Sequence, residues 1–309
     1  MIRVAIAGDG QLGRGVARAL ASRGDIDVIG PAPRARLAEA LDSGADLVVI
    51  ATATRFADVA PHIRAAVAAG SNVIVSAEEC AYPWVVDEVL ARELDGAARD
   101  RGVTILGGGL NPGFVFDALV LTLLGALEAV RRITVTRVVD LSGFGPTVAG
   151  RLGLGVTPDE FAARVADGRI LGHAGFPQSM HVVAAATGRA IDRIDTRLDP
   201  VIGRDGLTAG IDQEYVAYSP AGGAWFRAVF RGDLDLAAAS LAPRDELRFE
   251  REGADDVVCS LDPGIGSQAG SRALISSSVD RVVAARPGWV TVAELPPAFP
   301  VATPVAAVR

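Results

Sequence analysis

Over the first 106 residues, short apolar runs alternate with longer stretches whose apolar positions recur every three or four residues. Residues 2–7 form an apolar strand, and Arg14 to Ser22 follow it as a helix. The same alternation predicts strands at Ile26 to Ile29, Asp46 to Ala51, Asn72 to Val75 and Val103 to Leu106. Helices are predicted at Leu37 to Leu41, Val59 to Ala69 and Trp84 to Arg101. Strands that alternate with helices imply a parallel sheet covered on both faces.

The pattern changes after an apolar stretch from Phe114 to Val130, which reads as a buried helix with Asn111-Pro112 as its N-cap and first residue. β-Branched runs broken by Gly and Pro predict strands at Arg132 to Val139, Arg193 to Pro200, Thr208 to Ala217, Ala224 to Gly232, Asp245 to Glu250 and Asp256 to Ser260. Thr157-Pro-Asp-Glu160 is a helix start, and a last helix runs from about Ala269 to Ala285. The fold class expected is α/β, with a second α+β domain built on a largely antiparallel sheet. The expected division is a domain over 1–130, completed by 265–309, and a second over 131–264. The tail from Pro296 to Arg309 shows no period.

Composition narrows the chemistry. Of the 309 residues, 37 are acidic and 30 basic, a net charge of −7, so no nucleic-acid partner is expected. All the basic residues are Arg, which excludes a lysine Schiff base. His62, His173 and His181 are scattered, Cys80 and Cys259 lie far apart, and no metal site is expected. The 114–130 stretch carries Asp117 and Glu128 and is shorter than the roughly 20 apolar residues a membrane span needs. A chain that enters a strand at once, with no leader pattern, reads as cytoplasmic.

Gly8-Asp-Gly10-Gln11-Leu12-Gly13 stands between the first strand and the first helix, the context that makes three glycines a dinucleotide fingerprint. The first domain therefore reads as a Rossmann domain, with the pyrophosphate at the helix N-terminus. About 20 residues on, where a ribose-binding carboxylate is usual, stands Gly30-Pro-Ala-Pro-Arg34-Ala-Arg36. Arg34, with Arg36, points to a 2′-phosphate and so to NADP(H); Asp27 keeps NAD(H) open.

Ligands bind beyond the carboxyl ends of parallel strands, and those ends carry Thr52 to Thr54, Ser76-Ala-Glu78-Glu79 and Gly107 to Gly113 with Asn111. Paired acids there suit proton or cation handling, and Glu78 is favoured over Glu79, which a helix N-terminus would also accommodate. Asn111 is a cap or a ligand contact. His173, in a glycine-lined loop, is a candidate donor to a substrate carboxylate or an acid. His181 reads as packed or surface, and His62 is given no role.

Five segments in order resemble the family of 2,4-diaminopentanoate dehydrogenase and the native amine dehydrogenases, relatives of dihydrodipicolinate reductase in the N-terminal domain. They are Asn72 to Pro83, Gly108-Gly-Leu-Asn-Pro-Gly-Phe114, Gly155-Val-Thr-Pro-Asp-Glu-Phe161, Gly172-His-Ala-Gly-Phe-Pro-Gln-Ser179 and Ala285-Arg-Pro-Gly-Trp289. The resemblance implies NAD(P)-dependent oxidative deamination of an amine, or reductive amination of a carbonyl with ammonia, through an imine. The family's amine-holding glutamate falls on Glu78. A homodimer through the second domain's sheet is also implied. The chain departs from the family in a short stretch before Asp46 and in Gly264-Ile-Gly-Ser267, where relatives carry a His-Gly-Asp-like sequence. Two other readings stand beside this one: a reductase of another carbonyl or cyclic imine, and a nucleotide-binding sensor without catalysis.

Overall fold

Strand β1 (Ile2–Ala7) is apolar and is followed by helix α1 (Gln11–Ala21) and β2 (Ile26–Ala32). After them come α2 (Leu37–Leu41), β3 (Leu47–Ile50), α3 (Phe56–Ala68), β4 (Asn72–Val75), α4 (Glu88–Arg101) and β5 (Thr104–Gly107). The structure, a computed structural model, describes residues 1–300. It divides into two units, Met1–Ala118 continued from Ser267, and Leu119–Gly266.

The second unit takes over within α5 (Ala118–Leu124) and holds β6 (Val130–Asp140), α6 (Pro146–Arg151), α7 (Pro158–Ala166) and α8 (Phe176–Thr187). These lead into β7 (Arg193–Ile202), β8 (Thr208–Tyr218), β9 (Ala224–Asp233), β10 (Arg244–Arg251) and β11 (Val257–Leu261). The chain then returns to the first unit as α9 (Ser267–Val283) and β12 (Gly288–Val290).

The first unit's sheet has the order β12-β5-β4-β3-β1-β2, all parallel. Alternate residues of one strand feed opposite cores. Val48 and Ile50 pack with α3 and α4 residues such as Ile63 and Leu94. Leu47 and Val49 pack with Val16 and Leu20 of α1 and Val279 of α9. Both faces are therefore sealed, and Leu47, Val48, Val49 and Ile50 have no exposed surface. Each such side chain contributes about 1.5–3 kcal/mol of burial.

The second unit's sheet runs β11-β10-β6-β9-β8-β7. Its neighbours are antiparallel except for β6 and β9, which lie parallel. The α/β class, the Rossmann arrangement and the largely antiparallel second sheet all agree with the hydrophobic pattern.

Three local expectations need correction. β2 runs on past Ile29 through Gly30-Pro31 to Ala32. It is an edge strand, where a proline's missing N–H deprives no neighbour. The 114–130 stretch is not one helix with an Asn111 cap. Its helix starts at Ala118, because the buried Asp117 carboxylate takes the N–H groups of Gly113 (2.8 Å) and Ala118 (2.7 Å). A sixth strand, β12, was absent from the pattern because it has only three residues. Trp289 anchors it, with its N–H on Asp95 (2.7 Å) and its indole on the Cys80 carbonyl (3.2 Å).

Candidate functional site

The glycine turn after β1 is built from close approaches. Gly8 has φ +121°, and a Cβ on it would lie 2.4 Å from the Ala51 carbonyl oxygen. A Cβ on Gly13 would lie 1.9 Å from the Gly8 oxygen, so any side chain there pushes α1 off β1. Gly10 faces open space and is the N-cap of α1, which has no side-chain cap and no acid in its first turn. The N–H groups from Gln11 to Gly13 thus lie at a positive helix end with no acid in its first turn, and a dinucleotide pyrophosphate fits.

Beyond β2 the chain enters a single 3-10 turn, Arg34–Arg36. Arg34 is exposed; its carbonyl accepts the Leu37 N–H, but its guanidinium makes no hydrogen bond or ion pair among the described residues, whereas Arg36 lies 3.9 Å from Glu39. Asp27 sits near the start of β2, 3.8 Å from Arg3, at the far end of the strand from the glycine turn. No shift of the strand end brings it to the ribose position. His62, given no role from sequence, reaches back from α3 to Thr52 (Nδ1 to Oγ1, 3.2 Å). Burial holds its imidazole below the usual range, and the charge of Arg34 adds to this.

The three other strand ends expected at the site all leave the carboxyl edge of the same sheet. Backbone bonds from Ala51 to Ala7, Ser76 to Ile50 and Gly108 to Val75 tie them side by side. Thr52 and Thr54 follow β3, Glu78 and Glu79 follow β4, and Asn111 follows β5. The 3-10 turn Glu78–Ala81 is pinned from behind by Trp289 at the Cys80 carbonyl. The two acids then separate in role. Glu79 Oε2 accepts the Phe56 N–H at 2.6 Å, closing the N-terminus of α3, for which Arg55 provides no side-chain cap. Of the two acids, Glu79 thus serves a helix N-terminus, as was expected of one of them, and Glu78 is part-exposed at the head of the turn. Cys80 is buried, which pushes its thiol well above the usual range, and Glu79 adds to the effect.

In the second unit, His173 lies in the loop before α8. Its N–H donates to Gln213 Oε1 (2.8 Å), and Gln213 Nε2 donates to the Tyr215 hydroxyl (3.0 Å). The ring stacks on Phe176 at 4.6 Å and leans on Phe230 at 4.9 Å. Its Nδ1 is 2.7 Å from the Ala174 carbonyl, which can only accept, so Nδ1 carries the proton. Burial, with the charges of Arg151 and then Arg137, pushes the imidazole down to about 3. A neutral ring with its proton on Nδ1 presents a lone pair at Nε2. That corrects the expected donor or acid role: His173 is an acceptor. His181 lies in α8 as expected, and burial lowers its imidazole.

Sequence reasoning also missed Gln213, Arg137 and Asp245. Each is a polar residue on the buried phase of an alternating strand: Ile211-Gln213-Tyr215, Ile133-Val135-Arg137 and Asp245-Leu247-Phe249. Arg137 and Asp245 are register partners, 2.6 Å apart and almost fully buried, and both bind the Ile265 backbone. A break in apolar phase was the signal that could have found them. Among the described residues no cluster suited to a metal ion occurs, and no helix is long and apolar enough to cross a membrane.

The motif resemblance is borne out by comparison with known proteins. The family model of the 2,4-diaminopentanoate dehydrogenase C-terminal domain matches residues 114–217. The 2,4-diaminopentanoate dehydrogenase of Acetoanaerobium sticklandii is 31% identical over 227 residues, 65% of this chain and 64% of that protein. The match therefore spans a little under two thirds of the curated relative. Amine dehydrogenase from Mycobacterium smegmatis has a similar structure, with a TM-score of 0.82, 22% identity and coverage of 96% of this chain and 97% of that one. GenD2 of gentamicin A biosynthesis, solved with NAD, has a TM-score of 0.55 at 20% identity, covering 84% and 72%. These two likenesses show a shared fold.

Proposed function

We propose that the chain is an NAD(P)-dependent amine dehydrogenase, an oxidoreductase that deaminates an amine oxidatively or aminates a carbonyl reductively through an imine. The observation that carries this is Glu78. It heads a pinned turn at the carboxyl end of β4, two strands, or about 10 Å at ordinary strand spacing, from the anion-ready turn after β1. The similarity to 2,4-diaminopentanoate dehydrogenase supports the same reading.

In this proposal the N–H groups of Gly10, Gln11, Leu12 and Gly13 hold the pyrophosphate, and Thr52, Thr54 and Asn111 flank the bound cofactor. Asn111 is the candidate substrate contact of the first unit, and His173 that of the second, each taken by itself. When bound, the nicotinamide supplies hydride exchange at C4. Glu78 holds the ammonium or amine and removes its proton, which exposes the nitrogen lone pair for attack on a carbonyl or for release of hydride from the adjacent carbon. Arg34 and Arg36 make NADP(H) the preferred cofactor over NAD(H) by meeting a 2′-phosphate. A homodimer through the second unit's sheet completes the proposal.

The experiment titrates the protein with NADPH and NADH by fluorescence. It then adds ammonium with a panel of small ketones and aldehydes and follows absorbance loss. Ammonium-dependent oxidation is the expected result. Turnover that ignores ammonium would replace the proposal with a carbonyl or cyclic-imine reductase, and cofactor binding with no turnover across the panel would favour a sensor. Arg34→Ala should weaken NADPH about tenfold relative to NADH, the loss of one charge-assisted contact. An unchanged ratio would remove the NADP(H) assignment.

A further inference from the structure

Within the first unit, the glycine turn after β1 has a loop on either side. On one side the Gly8 N–H reaches the Ala32 carbonyl at the end of β2 (3.0 Å), and Arg34 stands two residues further on. On the other the Ala51 N–H reaches the Ala7 carbonyl (2.8 Å), and Thr52 is the next residue. From α3, His62 closes on this second loop through Nδ1 and the Thr52 hydroxyl (3.2 Å). The residue is part-exposed, and Nε2 has no hydrogen-bond partner among the described residues. Nor does Nε2 belong with the buried side-chain atoms that lack a partner, so it reaches solvent. The Arg34 guanidinium is unengaged as well, and its charge acts on the imidazole.

Neither loop supplies an acid, since Gly30 to Arg36 and Thr52 to Arg55 contain none. Around α3, Glu79 holds the Phe56 N–H, Arg64 pairs with Glu93 of α4 (2.8 Å), and Glu39 of α2 lies by Arg36 (3.9 Å). Arg55 at the N-cap of α3, Asp58 in its first turn and Asp9 in the glycine turn are exposed. Burial first, and then the charge of Arg34, keeps the His62 ring neutral at neutral pH. A dianion shared by the two side chains reverses that bias, because it stabilises a second cation beside the first. The Thr52 hydroxyl can donate to Nδ1 or accept from it. Its bond therefore survives protonation of the ring and leaves an Nε2–H to donate outward.

Building on the NADP(H) reading, we propose that His62 is a second ligand of the cofactor's 2′-phosphate, together with Arg34, and takes up a proton as that phosphate binds. The ligand class is a phosphate monoester on an adenosine ribose. NADP(H) binding is then linked to pH through His62, and NAD(H) binding is not. A proton held more tightly in the complex strengthens binding at lower pH, and that gain is lost as pH rises. The second ionisation of a phosphate monoester, near pH 6, works in the opposite direction, so the two contributions differ in sign.

The test uses the full chain and requires no turnover. In fluorescence titrations NADPH should bind about tenfold more weakly at pH 8.5 than at pH 6.5, the equivalent of one pKa unit, while NADH binds alike at both. Calorimetry in two buffers of different ionisation enthalpy should show proton uptake with NADPH and 2′,5′-ADP, and none with NADH or 5′-AMP. His62→Gln keeps a hydrogen-bond donor that cannot become charged. It should lose the proton uptake and weaken NADPH about tenfold at pH 6.5, with NADH binding unchanged as the control for folding. With 15N-labelled histidine, whose three side chains are few enough to assign with variants, 2′,5′-ADP should convert His62 to the imidazolium pattern at pH 7.5. Proton uptake that persists in His62→Gln, or a His62 ring that stays neutral with 2′,5′-ADP bound, would overturn the inference and leave Arg34 and the NADP(H) preference standing. Tighter binding of NADH than of NADPH, or binding of neither, would overturn both.

Discussion

The two six-stranded sheets handle polar chemistry in opposite ways. The parallel sheet is buried on both faces, and its strands are short apolar runs such as Leu47–Ile50. Polar groups enter only where strands end, as backbone N–H groups after β1 and as the Glu78 carboxylate after β4. The largely antiparallel sheet has longer strands with one buried face, and it admits polar side chains into that face: Arg137, Gln213 and Asp245. Its other face carries ion pairs, among them Arg197 with Asp212 (3.3 Å), Arg231 with Asp212 (3.2 Å) and Arg227 with Glu214. Chemistry in the first unit is thus separable from strand packing. In the second, buried polar groups are part of the sheet's own packing.

Substitutions in the two units should therefore fail differently. The largest effect belongs to Glu78→Gln, which should lower ammonium-dependent turnover by about 10²–10⁴-fold, the usual worth of a positioned base, with cofactor binding retained. Full turnover in this variant would remove Glu78 from the mechanism. Next comes Asp245→Ala, which leaves Arg137 charged and buried without its partner. A loss of about 3–5 kcal/mol in urea unfolding is expected, confined to the transition of the second unit. Replacing both residues, Arg137→Met with Asp245→Leu, should cost much less, because the penalty lies in the stranded charge. Equal losses in the single and double variants would refute this account of the pair.

Glu79→Ala sharpens the comparison within the first unit. Glu79 is adjacent to Glu78 in sequence, yet its carboxylate is engaged by the Phe56 N–H. Loss of that cap should cost about 0.5–2 kcal/mol of stability and leave kcat nearly intact. A collapse of kcat with unchanged stability would return Glu79 to the site.

These contrasts explain what was legible in the sequence. The parallel half was readable because strand, glycine turn and helix follow one another locally, and the strand ends named the loops that matter. The division of labour between Glu78 and Glu79 was not readable, since it depends on α3 starting at Phe56, earlier than the periodicity suggested, because Pro61 lies inside the helix. In the second half, alternation located the strands within a few residues. The state of His173 depends on Ala174, Gln213 and two aromatic rings drawn from separate elements. A long-range hydrogen bond such as His173 to Gln213 has no local signature.

The smallest effect tests the outer face of the second sheet. Glu214 is held below the usual carboxylate range first by its hydrogen bond to Arg227, with Arg197 assisting. A carboxyl whose folded value is depressed contributes stability above its unfolded value, and that stability disappears as pH falls through the folded one. Arg227→Ala should then destabilise by no more than about 1 kcal/mol at pH 7, because the pair is near the surface and salt-screened. The difference from the unsubstituted protein should shrink as pH falls below the ordinary glutamate value near 4.3. It should also shrink in high salt, whereas the Asp245→Ala deficit should persist there, since buried charges are screened far less. If the two deficits responded alike to salt, the distinction between a sheet face tied by surface charge and one shaped by buried charge would fail.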